Sequence, residues 1–187
     1  MKILITGFEP FGTFDKNPSW EAVKKIRNTD DTILIKKEIP VEYEKSTTML
    51  LEILDAEKPD AVILTGVAGT RKDITVEKVA INLRDANLPD NIGVTLHDSF
   101  IDPAGKNAYF STLPVNSIVS ELNKNEIAAS ISYSAGAYVC NNLFYTLMNY
   151  METHKNIIGG FIHLPEDYSD KMAHALEIAI DEVKKLG

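Results

Sequence analysis

The alternation of apolar runs with amphipathic segments most constrains the fold of this chain. Runs with the length and composition of buried strands alternate with segments whose apolar residues have helical spacing. The runs predict strands over Lys2–Thr6, Thr32–Ile39, Ala61–Thr65, Ile74–Asn82, Ala128–Tyr133 and Ile157–His163. The spaced segments predict helices over Ser19–Arg27, Tyr43–Glu57, Pro114–Asn123, Val139–Tyr150 and Tyr168–Leu186. This order predicts a three-layer α/β/α domain with a largely parallel sheet, whose strand order stays open.

Size and charge narrow the classes of protein and partner. A chain of 187 residues fits one domain, 1–187, and its 44% hydrophobic and 25% charged residues are typical of globular proteins. The net charge of −8 disfavours binding to nucleic acid or to an anionic membrane surface. No apolar stretch approaches the length of a membrane span. One cysteine excludes an intrachain disulfide and is consistent with a reducing cytoplasm.

The lone cysteine, Cys140, lies where a nucleophile would be placed. The apolar run from Ile127 to Tyr133 is followed by a turn of small residues and then by apolar residues at helical spacing. This order predicts a strand, a tight turn and a helix that has Cys140 in about its first turn. Unpaired N–H groups at a helix N-terminus favour a thiolate and lower the pKa of a cysteine. The alternative is a small buried core residue, the commoner role of a lone cysteine.

His163 is the candidate base for such a thiol. It ends an apolar run that begins at Asn156, and Pro165 stops the strand soon afterwards. Because the carboxyl ends of strands form the ligand crevice of open α/β sheets, we expect Cys140 and His163 at the same sheet edge. The other histidines occur in polar, loop-like or terminal-helix contexts, where solvated or capping roles are commoner. They are His97, His154 and His174.

Glu77 is the candidate for a third group. Strand alternation puts it on one face with Thr75, Val79 and Ile81. A carboxylate on a largely apolar face is costly unless it is paired or hydrogen-bonded. Orienting His163 would supply that partner, as the acid of a Cys-His-acid arrangement does. The alternative, which the residues leave open, is an edge strand on which Glu77 faces water.

Taken together, these segments resemble the pyroglutamyl peptidase I family, cysteine peptidases that remove N-terminal pyroglutamate from peptides. The resemblance covers nearly the whole chain. Its segments are Gly7-Phe8-Glu9-Pro10-Phe11-Gly12, Asn17-Pro18-Ser19-Trp20-Glu21-Ala22-Val23, Thr75-Val76-Glu77-Lys78-Val79-Ala80-Ile81-Asn82, Leu88-Pro89-Asp90-Asn91, Ser134-Ala135-Gly136 with Tyr138-Val139-Cys140-Asn141, and Gly160-Phe161-Ile162-His163-Leu164-Pro165. It implies a phosphorylase/hydrolase-like domain with a mostly parallel mixed sheet and a catalytic triad of Glu77, Cys140 and His163.

The resemblance and the residues suggest the same roles for this triad. Cys140 would attack the carbonyl carbon of the pyroglutamyl residue. His163 would take the thiol proton, or hold an imidazolium beside a thiolate, and then protonate the leaving amine. Glu77 would fix the imidazole tautomer. No cofactor is implied, and the chain has no Cys-x-x-Cys or His-x-x-x-His spacing that would indicate a metal.

The resemblance also implies a pocket for the pyroglutamyl ring, a flat uncharged lactam that needs an apolar slot and a few polar groups. Phe8 and Tyr138 would face the two sides of the ring, and Leu88 would be an apolar pocket position. The other residues assigned to substrate binding are Phe11, Val67, Asn87 and Val139. From the residues alone, Phe8 and Phe11 could be loop anchors packed on the core, the commoner role of phenylalanines in loops, and the resemblance favours the pocket role.

Three positions depart from the family pattern. Val67 stands where the family usually has a glutamine that helps bind substrate, and Asn87 stands where it has an arginine close to the catalytic centre. Asn142 replaces a histidine. These departures leave an alternative hypothesis, a family member with weakened or altered catalysis that serves as a binding protein or acts on another N-terminal group.

The expected partners follow from the same resemblance. Peptides with N-terminal pyroglutamate are the expected substrates, and a homodimer or homotetramer is the expected assembly. The irregular polar stretch between Asp85 and Lys106 is expected either to cover the site or to contact a neighbouring subunit.

Overall fold

The computed structural model describes residues 1–27 and 32–187. Within these residues strands alternate with helices as the sequence predicts, except over residues 61–110, where four strands follow one another. The strands are β1 Lys2–Phe8, β2 Ile33–Ile39, β3 Ala61–Val67, β4 Ile74–Glu77, β5 Val79–Ile81, β6 Ala108–Phe110, β7 Ala129–Ser132 and β8 Ile158–Leu164. The helices are α1 Pro18–Lys25, α2 Tyr43–Glu57, α3 Val115–Lys124, α4 Val139–Met151 and α5 Asp170–Lys184.

The central sheet of the described chain has six strands in the order β2-β1-β3-β8-β4-β7. Its neighbouring strands are parallel except for β4 and β8, which pair antiparallel through Thr75↔His163 and Val76↔Ile162. The predicted α/β fold with a mostly parallel mixed sheet is therefore confirmed. The antiparallel pair matters for the site, because it brings the end of β4 beside the end of β8.

Helices cover both faces of this sheet and bury its alternating side chains. Ile3 and Ile5 belong to a buried cluster that includes Leu176 of α5 and residues of α1 and α3. Leu4, between them, belongs to a second cluster with Leu50 of α2 and residues of α4. Each fully buried aliphatic side chain contributes roughly 1.5–3 kcal/mol, so these two apolar layers hold the sheet between its helices.

The predicted strand over Ile74–Asn82 is wrong as a single element. It divides at Lys78, where the chain leaves the central sheet, and β5 pairs antiparallel with β6 in a separate two-stranded sheet. Glu77 therefore shares its sheet face with Thr75 and not with residues of β5. No pattern in the sequence predicts β6, because a three-residue strand has too few positions to show an alternation.

Element ends differ by a few residues from the sequence predictions. Helix α1 begins after Asn17, whose side chain accepts a hydrogen bond from Ser19 N at 3.0 Å, and α5 begins after Ser169. The stretch between Asp85 and Lys106 is irregular, as predicted. Within the described chain, no helix combines the length and apolar character needed to cross a bilayer.

Candidate active site

The turn before α4 presents Cys140 at the N-terminus of that helix. β7 is followed by a turn in which Gly136 adopts φ +77°, and α4 begins at Val139. Tyr138 is the N-cap residue and makes no side-chain hydrogen bond to the helix. Because first-turn N–H groups have no partners inside a helix, those beside Cys140 are left for other acceptors. This is the strand, turn and helix that the sequence predicts.

Gly66 in β3 makes room for the thiol. A Cβ atom at Gly66 would lie 3.1 Å from Cys140 Sγ and 2.9 Å from Phe161 Cζ, both tighter than ordinary contact. Gly66 is also the Cα partner of His163 in the β3–β8 register. The thiol therefore packs against the strand position next to His163, and the two candidates lie at the same sheet edge.

His163 forms a buried hydrogen bond with Glu77. His163 Nδ1 lies 2.7 Å from Glu77 Oε1, and both side chains are almost fully buried. Because an ionised carboxylate can only accept, Nδ1 carries the proton and Nε2 is left with its lone pair. The antiparallel pairing of β4 with β8 produces this contact. The alternative in which Glu77 faces water is wrong, since its exposure is 0%.

Arg71 is a member of this cluster that the sequence analysis missed. Its Nη1 donates to Glu77 Oε1 at 2.7 Å, and its Nη2 donates to Ser134 O at 2.9 Å. Among the described residues, Glu77 Oε2 has no partner with hydrogen-bond geometry, and the nearby Ser132 hydroxyl donates to Ser134 O. A buried carboxylate needs several partners, and that requirement is the signal that could have pointed to a nearby cation.

The pKa of Cys140 is raised in the folded protein, whereas the sequence predicts that it is lowered. Burial, followed by the negative charge of Glu77, raises the pKa of Cys140 to about 12, although its own backbone N–H and Arg71 lower it. The expected lowering of the Cys140 pKa by the helix N-terminus is therefore outweighed. Cys140 keeps part of its surface open, but packed protein atoms surround it and penalise a thiolate.

The pKa values of His163 and Glu77 are shifted by burial and by each other. Burial lowers the pKa of His163 below its usual value, although Glu77 opposes that shift, and Arg71 lowers it further. Burial alone would raise the pKa of Glu77, but hydrogen bonds from His163 and Arg71 hold it below its usual value. These shifts favour a neutral thiol, a neutral imidazole and an ionised carboxylate at rest.

An apolar pocket opens beside the thiol. It is a small cavity of about 40 Å³. Its lining combines Phe8, Phe11, Asn17, Val41, Val67, Tyr138, Val139 and Cys140. The lining includes five residues that the sequence analysis assigned to substrate binding, together with the candidate nucleophile. Asn17 and Val41 also line the pocket, although the sequence does not predict it. Of the two, only Asn17 lies in a segment that resembles the family.

Hydrogen bonds fix the turn at the pocket mouth. Glu9 Oε1 accepts from Val41 N at 3.0 Å and from Asn91 Nδ2 at 2.8 Å. Asn17 Nδ2 donates to Glu9 O at 2.9 Å, which ties the turn to the start of α1. The Phe8–Phe11 turn is thereby tied through Glu9 to Asn17, Val41 and Asn91.

Tyr138, which also lines the pocket, is fixed by contacts of its own. Its hydroxyl donates to Pro89 O at 2.9 Å, and its ring meets the Tyr43 ring edge to face, with centroids 5.7 Å apart. Asn87 and Leu88 are exposed and do not line the pocket, so their part in substrate binding stays a prediction.

Asn142, the third position that departs from the family pattern, is fully buried and makes hydrogen bonds to neighbouring elements of the fold. Its Oδ1 accepts from Arg84 Nε at 2.7 Å, and its Nδ2 donates to Tyr43 O and to Thr47 Oγ1, each at 3.0 Å. The amide therefore ties α4 to α2 behind the helix start. It supports the position of Cys140 without contacting the pocket.

The remaining histidines lie apart from this cluster. His97 contacts Asp85, and His174 contacts Glu177 on the surface of α5. His154 Nδ1 lies 2.9 Å from Tyr150 O at the end of α4. Within residues 1–27 and 32–187, no group of three or more His, Cys, Asp or Glu residues is arranged to hold a metal ion.

Comparison with known proteins gives a consistent result. The family model of pyroglutamyl peptidase matches residues 1–180. The chain is 43% identical over 200 residues to pyrrolidone-carboxylate peptidase 1 of Caldanaerobacter subterraneus subsp. tengcongensis, covering 99% of this chain and 98% of the relative. It is 48% identical over 169 residues to a pyrrolidone-carboxylate peptidase of a Thermoanaerobacter species, covering 88% and 82%.

Solved structures agree with these relatives. The crystal structure of pyroglutamyl peptidase I from Bacillus amyloliquefaciens matches with a TM-score of 0.92 at 40% identity, covering 97% of this chain and 94% of that one. A mutant pyrrolidone carboxyl peptidase from Pyrococcus furiosus matches with a TM-score of 0.95 at 33% identity, covering 100% and 99%. With its buried acid–histidine pair beside a thiol at a helix N-terminus, the chain belongs to the pyroglutamyl peptidase family.

Proposed function

We propose that this chain is a cysteine exopeptidase that hydrolyses the amide bond after an N-terminal pyroglutamyl residue and releases pyroglutamate. Glu77, Cys140 and His163 are its catalytic unit. The observation that best supports the proposal is the buried 2.7 Å hydrogen bond between His163 Nδ1 and Glu77 Oε1, at the sheet edge where α4 presents the thiol. Family membership supports the substrate class.

The first step starts from a neutral thiol and a neutral imidazole. His163 Nε2 accepts the proton from Cys140 as Sγ attacks the carbonyl carbon, because the pKa of Cys140 is too high for a standing thiolate. Glu77 stabilises the imidazolium that forms. The carbonyl oxygen becomes an oxyanion, and the open N–H groups at the start of α4 are the donors for it.

In the second step the imidazolium of His163 protonates the leaving amine, and the C–N bond breaks. The product is a thioester between Cys140 and the pyroglutamyl group. Water, deprotonated by the neutral imidazole, then attacks this thioester and releases pyroglutamate and the free thiol. Each proton that His163 accepts is returned within the cycle, so no cofactor is needed.

The pocket explains a preference for a small uncharged ring. Phe8, Phe11 and Tyr138 give it apolar walls, and the cavity between them is small. A free N-terminal glutamate would bring an ammonium and a carboxylate into these walls, and burying unpaired charge is costly. The cyclised residue carries neither charge.

A direct test is release of a fluorophore from a pyroglutamyl amide. The chain should hydrolyse this amide and leave the glutamyl amide intact, and protein alkylated with iodoacetamide should be inactive. A wild-type protein that binds the pyroglutamyl amide without cleaving it would instead support the alternative of a binding protein. No observation in the structure favours that alternative.

Restoring the family residues at Val67 and Asn87 should raise activity. Val67 lines the pocket but cannot hydrogen-bond a lactam, and the neutral amide of Asn87 cannot replace a cation. The double variant Val67→Gln with Asn87→Arg should raise kcat/KM at least about tenfold, equivalent to roughly 1.4 kcal/mol. Val67→Gln should account for the change in KM.

Val67→Met is the matched control, because it adds length without a hydrogen-bonding amide. A folded double variant with no gain would show that the site compensates for these departures by another route.

We also propose a homodimer or homotetramer located in the cytoplasm. Several large apolar side chains are exposed, and burial against another copy would remove them from water. They include Leu88, Ile92, Phe100 and Phe110. Three of these lie in the irregular stretch between Asp85 and Lys106, which supports a subunit contact there.

A further inference from the structure

Arg71 contacts the carboxylate that orients the base, and none of the steps above uses it. Its Nη1 donates to Glu77 Oε1 at 2.7 Å, the same oxygen that His163 Nδ1 contacts at 2.7 Å. One carboxylate oxygen therefore accepts from both the guanidinium and the imidazole. Arg71 also donates to Ser134 O at 2.9 Å and to Thr75 Oγ1, so it is held from three directions.

We propose that Arg71 is a positioning residue that keeps the Glu77–His163 pair as carboxylate and neutral imidazole, and thereby sets the pH at which the base becomes available. The proposal rests on the function proposed above.

The reason is competition for one buried negative charge. A carboxylate beside an imidazole favours the imidazolium, which cannot accept the proton of Cys140. A guanidinium is a permanent cation with several donors, and on the same oxygen it offsets much of that attraction. His163 therefore stays neutral to lower pH. Once it has taken the thiol proton, its imidazolium is also the stronger acid towards the leaving amine.

The surroundings of His163 allow the sign of the effect to be derived. The charged or titratable groups that act on it are Glu77 from β4 and Arg71 from the segment after β3, with Cys140 at the start of α4 completing the cluster. Glu166, after β8, is exposed.

Removing the Arg71 charge should raise the pKa of His163, because Arg71 lowers it in the intact site, and should also raise the pKa of Glu77. With both pKa values raised, His163 and Glu77 become protonated at a higher pH. The acid limb of the kcat/KM profile should therefore move to higher pH.

The test compares three variants of the full chain. Arg71→Gln keeps a hydrogen-bond donor and removes the charge, Arg71→Lys keeps the charge, and Lys72→Gln removes the exposed neighbouring cation as a control. The kcat/KM for a pyroglutamyl amide is measured against pH. The imidazole of His163 is titrated by NMR, with its resonances assigned by comparison with His163→Ala.

Arg71→Gln should move the acid limb and the imidazole titration upward by about one pH unit. It should lower kcat by up to about tenfold on the acid side of the shifted limb, where a one-unit rise in pKa reduces the neutral imidazole most, with little change in KM. Arg71→Lys and Lys72→Gln should keep the wild-type profile.

An Arg71→Gln variant that loses activity with an unchanged acid limb and titration would overturn the proposal, since Arg71 would then only anchor its segment. An Arg71→Lys variant whose acid limb and imidazole titration move as far as those of Arg71→Gln would also overturn it. Arg71→Met is measured in the same way if Arg71→Gln does not fold. An inactive wild-type protein would contradict the proposed function, but the imidazole titrations would still decide the role of Arg71.

Discussion

Replacing Cys140 with alanine should abolish hydrolysis of pyroglutamyl amides and leave the fold intact. The variant removes the only thiol of the chain, and no other group can form the thioester. We expect a loss of at least about 10⁴-fold, the scale on which removal of a catalytic nucleophile is measured. The side chain is small and partly exposed, so its removal should change stability little.

Alkylation is an independent measurement of the same assignment. Iodoacetamide should add one alkyl group per wild-type chain and inactivate it, and the Cys140→Ala protein, which cannot be alkylated at a thiol, is the matched control. Mass spectrometry reports the stoichiometry, and circular dichroism reports the fold. Full activity after stoichiometric alkylation would exclude Cys140 as the nucleophile.

Replacing His163 with alanine should lower kcat by about 10²–10⁴-fold or more, the contribution of a positioned general base. Glu77→Gln should be less damaging, because it removes the orientation and charge support but leaves the imidazole in place. The shared 2.7 Å hydrogen bond predicts that the two residues act as a unit. The double variant should therefore be little worse than His163→Ala alone.

The control for this series is His174→Ala, which removes an exposed histidine of α5. It should have wild-type kcat and KM. The readout is steady-state kinetics on a pyroglutamyl amide, with thermal unfolding to show that each variant is folded. Losses that multiply in the double variant would mean that His163 and Glu77 contribute separately, against the assignment of one unit.

Structural features that are determined by residues close together along the chain were predictable from the sequence. The turn with Gly136 and the helix that begins at Val139 are encoded by small residues and helical spacing within a dozen positions. The placement of His163 near the end of a strand follows from the apolar run and Pro165 in the same way. Such local signals hardly depend on the rest of the fold, which is why both candidate residues were found.

Contacts between distant segments were not predictable from those signals. Arg71 and Glu77 lie close in sequence, but their bond also depends on the burial of Glu77, whose strand β4 pairs with β8 from far along the chain. The chain leaves β4 after Glu77 and continues into β5, which pairs with β6 about thirty positions further along the chain.

The sequence by itself determined the five helices, most of the strands, the α/β class and the candidate triad, because periodicity and turn chemistry are properties of short segments. Only the tertiary structure decided the strand order, the antiparallel β4–β8 pair and the state of the site. Glu77 and His163 are 86 positions apart and meet through that pair. The raised pKa of Cys140 likewise arises from burial and from the charge of Glu77, and burial exists only once the chain is packed.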